Sequence, residues 1–233
     1  MKVTVLCVRF GKLYGIDYVE KLRNMVSRHL TVPYDFVCIT DDPTPIEGVR
    51  LIVQESQGYK RKWWHKVHMF DPALPVEGRI LYFDLDVVIV NNIDKLVRNA
   101  GDEFFGIRDF NRRFHSSYQY LNSSVMSWVH QQQSALWQDF SRNPTEAQKL
   151  HGDQDWIWRH SRSRLKFWPD NWIQSYKWEI RSRDELVMDF SKKRSFKTVN
   201  NNINLNPDCS IMVFHGDPKP QNVEDQIVTE NWR

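Results

Sequence analysis

The N-terminal part of the chain switches between two periods of apolar residues. Val3–Gly11, VTVLCVRFG, is an apolar run that stops at a glycine, and 34–42, YDFVCITDD, is a second run closed by Asp-Asp-Pro. Between them, residues 17–30 have a helical spacing of apolar positions. These positions are Val19, Leu22, Val26 and Leu30. Strand, helix and strand over this length predict a βαβ unit, and therefore a parallel sheet.

The remainder of the pattern is less regular. The helix predicted at Trp63–Phe70 ends before Pro72, and the apolar run 79–90, RILYFDLDVVIV, predicts one long buried strand. Further predicted elements are a helix at about 127–140, a helix opening within HGDQDWIW, a loop at 197–208 and a late strand, CSIMVFHG. We therefore expect a single α/β domain over 1–233. The part from 1 to about 95 would form a nucleotide-binding half, and the part from about 96 to 233 a more variable substrate half.

Composition restricts the function classes. A net charge of +3 is too small to favour nucleic acid as a partner. Two basic clusters, at 159–166 and 192–197, fit a solvated rim, and they leave open a peripheral contact with an anionic partner such as a membrane surface. The three cysteines are widely spaced in apolar runs, which predicts reduced core thiols in a reducing compartment. With no signal-peptide pattern at the start, we expect a cytoplasmic protein.

Two carboxylates interrupt the most apolar stretch, LYFDLDVVIV. Asp84 and Asp86 are two residues apart, so on a continuous strand both would project to the same side. A buried carboxylate needs a compensating partner, and hard divalent cations such as Mg²⁺ and Mn²⁺ are held by one or two carboxylates together with phosphate oxygens and water. The pair therefore indicates a metal–diphosphate site. The alternative at this point is a pair that caps the end of a strand.

Two other enzyme classes share parts of this pattern. FDLDVVIV also matches the nucleophile motif of haloacid-dehalogenase-type phosphatases, but that motif usually precedes the rest of the domain, whereas here a βαβ unit comes first. HGDPKPQN fits the His-x-Asp-x-x-x-x-Asn pattern of small-molecule kinases, which need a further aspartate and a helical lobe after Asn222. Both interpretations are therefore disfavoured.

A family resemblance emerges from an ordered series of short motifs. These are Tyr14 after the first strand, Lys66 in the helix before the Asp-x-Asp pair, then FDLD, LNSSVM, GDQDWIW and FHGDPKP. In this order they resemble the glycosyltransferases that include glycogenin and the bacterial lipopolysaccharide galactosyltransferases. The resemblance covers most of the chain. It implies a glycosyltransferase-A fold, a Rossmann-like mixed sheet flanked by helices, in one domain.

The resemblance also implies an activity, which is transfer of a sugar from a nucleotide diphosphate sugar, a UDP-sugar above all, with Mn²⁺ or Mg²⁺ and retention of anomeric configuration. The acceptor would be a glycan, a lipid-linked sugar or a protein. The implied roles are metal binding by Asp84, Asp86 and His215; base stacking by Tyr14; donor contacts by Lys66 and Lys219; a sugar pocket lined by Asn122 and Ser123; and Asp153 and Gln154 beside the reacting sugar.

His215 departs from the family pattern. The metal-binding histidine of the family lies three residues before the glycine of the last motif, where this chain has Val213, while His215 adjoins Gly216. Its alternative role is a hydrogen bond to a loop, and the alternative for Asp153 is a helix cap. His65 and His68 are expected to be surface or core histidines. Nucleotidyl transfer and an inactive module that binds nucleotide sugars are the competing functions.

Overall fold

The structure, a computed structural model, describes residues 2–98, 100–181 and 203–233. The strands are β1 Val3–Arg9, β2 Tyr34–Thr40, β3 Arg50–Val53, β4 Arg79–Phe83, β5 Val87–Ile89, β6 Phe104–Arg108, β7 Leu121–Val129, β8 Leu165–Phe167, β9 Ile173–Ser175 and β10 Ile211–Val213. The α-helices are α1 Ile16–His29, α2 Lys95–Arg98, α3 Ser134–Arg142, α4 Pro144–Ala147, α5 Asp153–Ser161 and α6 Gln226–Asn231. Helical turns of other types are Lys62–Phe70, Phe110–Arg113, Asp170–Trp172, Tyr176–Ile180 and Pro220–Asn222.

The main sheet of the described residues has seven strands in the order β3-β2-β1-β4-β7-β6-β8. β3, β2, β1 and β4 run parallel, and β7 lies antiparallel between β4 and β6. The predicted βαβ unit is confirmed, because α1 joins the parallel neighbours β1 and β2. The helix packs through its apolar stripe, which includes Val19, Leu22 and Val26. The predicted α/β class with a mixed sheet is thus confirmed.

A second, smaller sheet has the order β5-β10-β9. β10 pairs antiparallel with β5, so that Val213 lies opposite Val87, and it pairs parallel with β9. Because the register places Val213 beside Val87, Phe214 and His215 follow at the same end of this sheet as Asp86. The C-terminal part of the chain is brought to the carboxylate pair in this way.

Two hydrophobic clusters cover the faces of the main sheet. One contains Val5, Cys7 and Phe83 together with α1 and the small sheet, and the other contains Leu6, Ile80 and Tyr82 together with the helical turn 62–70 and α3. The alternation along β1 and β4 agrees with the two-residue period of a strand. All three cysteines are buried and free, as predicted.

Two predicted elements need correction. The run 79–90 is divided into β4 and β5, and Asp84 and Asp86 lie in the turn between them rather than on a strand. The helix predicted at 127–140 is also wrong at its start, since Ser127–Val129 end β7 and α3 begins at Ser134. Residues 127–129 are held in the sheet by pairing with β4, which overrides their local preference.

Some predicted features lie partly or wholly outside the described residues. Residues 203–208 form no regular element, in agreement with the predicted loop, whereas 197–202 and the basic cluster 192–197 lie outside the described residues. Within 2–98, 100–181 and 203–233, no helix combines the length and the apolar character needed to cross a bilayer.

Candidate functional site

A cavity of about 370 Å³ opens where β1 and β4 end. This is the carboxyl edge of the parallel strands, where α/β sheets bind their ligands. The cavity brings together nine of the predicted site residues: Tyr14, Lys66, Asp84, Asp86, Asn122, Ser123, Asp153, Gln154 and His215. The tenth, Lys219, reaches the site through its ammonium group, which lies 2.5 Å from Asp86 Oδ2.

Asp84 is fixed by neighbours on both sides. Its backbone N–H donates to the Ser124 carbonyl at 2.8 Å, which ties the turn to β7. Its Oδ1 accepts from the Tyr82 hydroxyl at 2.6 Å and pairs with Lys66 Nζ at 2.8 Å. Tyr82 lies near the end of β4 and Asp84 directly follows that strand, and the two-residue spacing brings both side chains to the same side. That spacing is a signal from which the role of Tyr82 could have been predicted.

Asp86 is more deeply buried, with 8% of its surface exposed. Its Oδ2 accepts from the Tyr14 hydroxyl at 2.9 Å and from Lys219 Nζ. Burial, followed by the negative charge of Asp84, raises the pKa of Asp86 above its ordinary value, and Lys219 and Tyr14 act in the opposite direction. A further positive charge at this point would therefore be strongly stabilised.

The carboxylate pair offers free oxygen atoms to a cation. Hydrogen bonds and ion pairs from the described residues go to Oδ1 of Asp84 and to Oδ2 of Asp86, which leaves Asp84 Oδ2 and Asp86 Oδ1 without a protein donor. Two carboxylate oxygens suit Mn²⁺ or Mg²⁺, which complete their shell with phosphate and water. Among the described residues, no group of three or more His, Cys, Asp and Glu side chains is arranged to hold a metal. The fit is thus to a cation held by two carboxylates.

His215 has a different environment from the two aspartates. Its Nε2 lies 2.7 Å from Ser175 Oγ, and its ring stacks on Phe110 with centroids 5.0 Å apart. Burial, followed by the charges of Lys177, Lys219 and Arg112, lowers the pKa of His215 to about 3. The imidazole is therefore neutral, as a metal ligand must be, but its contact with Ser175 is also that of a structural histidine. Metal binding by His215 stays a prediction.

A second polar group surrounds Lys66, which is 6% exposed. Lys66 Nζ lies 2.8 Å from Asp84 Oδ1 and 3.5 Å from Asp153 Oδ2, and it donates to Ser123 Oγ at 3.0 Å. Burial acts to lower the pKa of Lys66, but the two carboxylates outweigh it and the pKa is raised. The lysine is therefore a permanent cation between two acidic side chains.

Asp153 begins α5, whose N-cap is Gly152. Its Oδ2 accepts from the Ser123 hydroxyl at 3.0 Å, so the side chain points across the cavity to β7. Burial raises the pKa of Asp153, while Lys66 and the Ser123 hydroxyl oppose the shift. The hydrogen bond to Ser123 and the ion pair with Lys66 join Asp153 to the site, as the resemblance requires.

Gln154 and Asn122 are oriented by hydrogen bonds. Gln154 Oε1 accepts from the Ser123 backbone N–H at 3.2 Å, and its Nε2 donates to Asp109 Oδ2 at 3.3 Å. Asn122 Oδ1 accepts from the Ser124 backbone N–H at 3.0 Å. No pattern in the sequence indicates Asp109, because it lies after β6 and meets Gln154 only through the tertiary fold.

The cavity rim carries two unusually exposed apolar side chains, Leu13 at 80% and Trp63 at 46%. Trp63, the first residue of the helix predicted at Trp63–Phe70, lines the cavity. Leu13 was not predicted, because a single leucine in a loop has no pattern. His65 and His68, by contrast, are buried core histidines away from the metal-binding candidates.

No protein-family model matches the sequence, and a search of the curated proteins finds no match. Solved structures do match. The galactosyltransferase LgtC in complex with donor and acceptor sugar analogues superimposes with a TM-score of 0.63 at 9% identity, over 98% of this chain and 96% of that one. GlyE of Streptococcus pneumoniae TIGR4 gives 0.65 at 15% identity over 100% of this chain. The bifunctional WbbM gives 0.62 at 14% identity over 99% of this chain.

The lengths of the matched chains differ. This chain spans 59% of the GlyE chain and 49% of the WbbM chain, but 94% of the chain of an active-site mutant of LgtC, where the TM-score is 0.65 at 11% identity. Identities this low establish the fold and nothing finer. The chain therefore has the glycosyltransferase fold that LgtC, GlyE and WbbM share, as the motif series predicts.

Proposed function

We propose that the chain is a glycosyltransferase that takes its sugar from a nucleotide diphosphate sugar with the help of Mn²⁺ or Mg²⁺. The observation that carries the proposal is the carboxylate pair Asp84 and Asp86, which faces one cavity with Lys66 and Asp153 in a chain of this fold. A UDP-sugar donor and retention of configuration follow from the resemblance to the galactosyltransferases. The acceptor is a glycan, a lipid-linked sugar or a protein.

The two carboxylates would hold the cation through Asp84 Oδ2 and Asp86 Oδ1. A divalent cation in this position supplies Lewis-acid stabilisation of a departing diphosphate. Lys219, which pairs with Asp86, would contact a phosphate oxygen of the donor diphosphate. Its charge then adds to the stabilisation of the leaving group. Tyr14 keeps its hydroxyl on Asp86, which fixes the ring at the cavity wall for the base.

The group around Lys66 serves the sugar. Lys66 pairs with Asp84 and Asp153, and Ser123 links Lys66 to Asp153 through one hydroxyl. Asp153 would accept a hydrogen bond from a sugar hydroxyl and stabilise positive charge at the anomeric carbon. The amide of Gln154 is already oriented by Ser123 and Asp109, so it is preorganised to contact the same sugar.

Thermal unfolding with a panel of nucleotide sugars tests the proposal. A ligand selective for the folded state raises the melting temperature by mass action. We expect a UDP-sugar to raise it in the presence of Mn²⁺ and to do so much less after chelation with EDTA. Transfer is then measured as release of UDP in the presence of candidate acceptors.

The matched variants are Asp84→Asn, Asp86→Asn and Asp139→Asn. The first two should abolish the Mn²⁺-dependent shift, and the third, an exposed carboxylate on α3, should retain it. Unchanged Mn²⁺ dependence in Asp84→Asn and Asp86→Asn would show that the pair is structural. Binding without UDP release for any acceptor would favour an inactive module that binds nucleotide sugars.

A further inference from the structure

A second depression lies beside the helical turn Lys62–Phe70, and we call it the rear groove. Its volume is about 470 Å³, and its lining includes Gln54, Glu55, Gln57, Tyr59, His68, Asp71 and Trp137. None of its lining residues lines the candidate donor cavity. The turn 62–70 borders both, with Trp63 and Lys66 in the cavity and His68 in the groove.

A buried imidazole organises the floor of the rear groove. His68 is 5% exposed, its Nδ1 lies 2.7 Å from Gln54 Oε1, and its Nε2 lies 3.0 Å from the Tyr59 hydroxyl. Because an amide oxygen only accepts, Nδ1 carries the proton and Nε2 accepts from Tyr59. Burial lowers the pKa of His68 to about 4, so the neutral form that this pattern requires is present at neutral pH.

The neighbouring histidine holds the same loop. His65 Nε2 accepts from the Gln57 backbone N–H at 2.9 Å, and the Tyr59 ring packs on His65 with centroids 4.7 Å apart. The loop from Gln54 to Tyr59 is therefore attached to the turn 62–70 at three points. A loop fixed in this way presents its side chains in defined positions, which lowers the entropic cost of binding a ligand.

The chemistry of the lining is specific. Trp137 is partly exposed, and its ring packs edge-on against His68 with the ring centroids 4.7 Å apart. The indole of Trp137 and the ring of Tyr59 form the aromatic walls of the groove. Glu55 and Asp71 supply carboxylates, Gln54 and Gln57 supply amides, and no lysine or arginine lines the groove in the described part of the chain. Aromatic faces pack on the apolar faces of sugar rings, and carboxylates and amides pair with hydroxyl groups.

The lining of the groove in the described part of the chain disfavours anionic ligands, because it carries carboxylates and no cation. A nucleotide or a phosphorylated lipid would be repelled by Glu55 and Asp71, whereas an uncharged polyhydroxyl ligand would use their oxygens as acceptors. We propose that the rear groove is a second carbohydrate site, which binds a neutral oligosaccharide apart from the donor cavity. Binding there requires no transfer. Its use in holding the distal part of a glycan acceptor rests on the proposed function.

Fluorine NMR of the full chain labelled with 5-fluorotryptophan tests the groove directly. The chain has 10 tryptophans, and Trp137→Phe and Trp63→Phe assign the resonances that report on the groove and the cavity. The probes are cellohexaose, maltohexaose, xylohexaose and β-1,4-galactotetraose at millimolar concentration. We expect at least one to shift the Trp137 resonance saturably while Trp63 stays unmoved.

Separate titration with UDP and Mn²⁺ examines the donor cavity through Trp63. A shift of Trp137 by an oligosaccharide without any response to UDP would retain the groove and count against the proposed function. A response of Trp63 to UDP and Mn²⁺, without any shift of Trp137 by an oligosaccharide, would retain the proposed function and overturn the groove proposal. The groove proposal is overturned if no oligosaccharide moves Trp137, if the oligosaccharides move Trp63 instead, or if choline, a cationic probe, moves Trp137 and the sugars do not.

Exposed-residue variants confirm the location without disturbing the core. Glu55→Lys places a long cation on the groove wall and should weaken oligosaccharide binding by about tenfold, as expected for the loss of one hydrogen bond to a charged group. Glu224→Lys, an equally exposed glutamate near the C-terminus, should bind as the wild type does. Equal affinities in the two variants would place the oligosaccharide elsewhere and overturn the proposal.

Discussion

At the residue scale, Lys66 is the group on which most of the candidate site depends. One ammonium contacts Asp84, Asp153 and Ser123, with 6% of the lysine exposed. A buried ion pair is a weak source of net stability, but removal of one member leaves the other charges without compensation. The site therefore tolerates the loss of Lys66 poorly even before any ligand binds.

Lys66→Met keeps most of the side-chain volume and removes the charge. We expect it to lower the free energy of unfolding at neutral pH by about 3–5 kcal/mol, the range seen when one partner of a buried pair is removed. Urea denaturation measures the change. The double variant Lys66→Met/Asp153→Asn should recover part of the loss, because one of the stranded carboxylates is then neutral. Full stability in Lys66→Met would show that solvent, rather than Lys66, compensates the two aspartates.

The residue scale also shows which site members a sequence can indicate. Asp84 and Asp86 are recognisable because two carboxylates stand in an otherwise apolar segment, whereas Lys66 is indicated only by the family resemblance. Tyr82 had a usable signal in its spacing from Asp84. Asp109 had none, since its partner Gln154 is brought to it by the pairing of β6 with β7 and the packing of α5 on β7.

At the element scale, the turn between β4 and β5 determines where the carboxylates point. The sequence predicts one strand over 79–90 because both halves are equally apolar. The break arises from tertiary pairing, since β4 belongs to the main sheet and β5 pairs with β10 in the small sheet. A change of sheet between two apolar halves has no local signature. The sequence therefore predicts extended structure over both halves but does not indicate the turn between them.

The start of β4 also depends on a glycine. Gly78 has φ +75°, and a Cβ there would overlap the carbonyl oxygen of Lys2. Gly78→Ala should therefore combine backbone strain with a steric clash and lower the free energy of unfolding by about 2 kcal/mol or more. Urea denaturation measures the loss, and thermal shift with UDP and Mn²⁺ shows whether the displaced β4 also weakens the site.

Two other glycines separate the strain from the clash. Gly101 has φ +49° with open space around it, so Gly101→Ala should cost about 1–2 kcal/mol through strain alone. Gly58 has no neighbour within 4 Å and no positive φ, so Gly58→Ala should be neutral or slightly stabilising. If all three variants were equally stable, the contact between Gly78 and Lys2 would have no energetic weight.

At the scale of the whole molecule, the fold class could be predicted because the βαβ pattern and the ordered motifs extend along most of the chain. The packing of the C-terminal part could not be predicted. It is joined to the N-terminal half through the pairing of β10 with β5, and after α6 through Trp232, whose ring centroid lies 5.1 Å from that of Tyr18. Tyr18 and Trp232 are far apart in the sequence, so this contact depends on the shape of the finished fold.

Several histidines with lowered pKa values make the folded chain less stable in acid. Burial is the main cause that lowers the pKa of His29, His65, His68, His130 and His215. A histidine with a lowered pKa binds fewer protons in the folded chain than in the unfolded chain. Its contribution to stability is therefore complete above the ordinary value of 6.5 and is lost as the pH falls toward the folded value, which for His68 is about 4.

We therefore expect the free energy of unfolding to fall as the pH is lowered from 6.5 toward 4, with about 3 kcal/mol of the loss due to His68. The buried carboxyls of Asp86, Asp153 and Glu179 have raised pKa values, so they take up protons first in the folded state and offset part of the loss at the acid end. Urea denaturation across this range measures the slope of the free energy of unfolding against pH.

His68→Gln should be less stable than the wild type at neutral pH but show a shallower slope, because the titrating ring is gone. Tyr59→Phe removes the hydrogen bond to His68 and keeps the imidazole, so it should lower stability while retaining most of the slope. Equal slopes in His68→Gln and the wild type would show that His68 titrates alike in the folded and unfolded chains, and would assign any acid sensitivity to other groups.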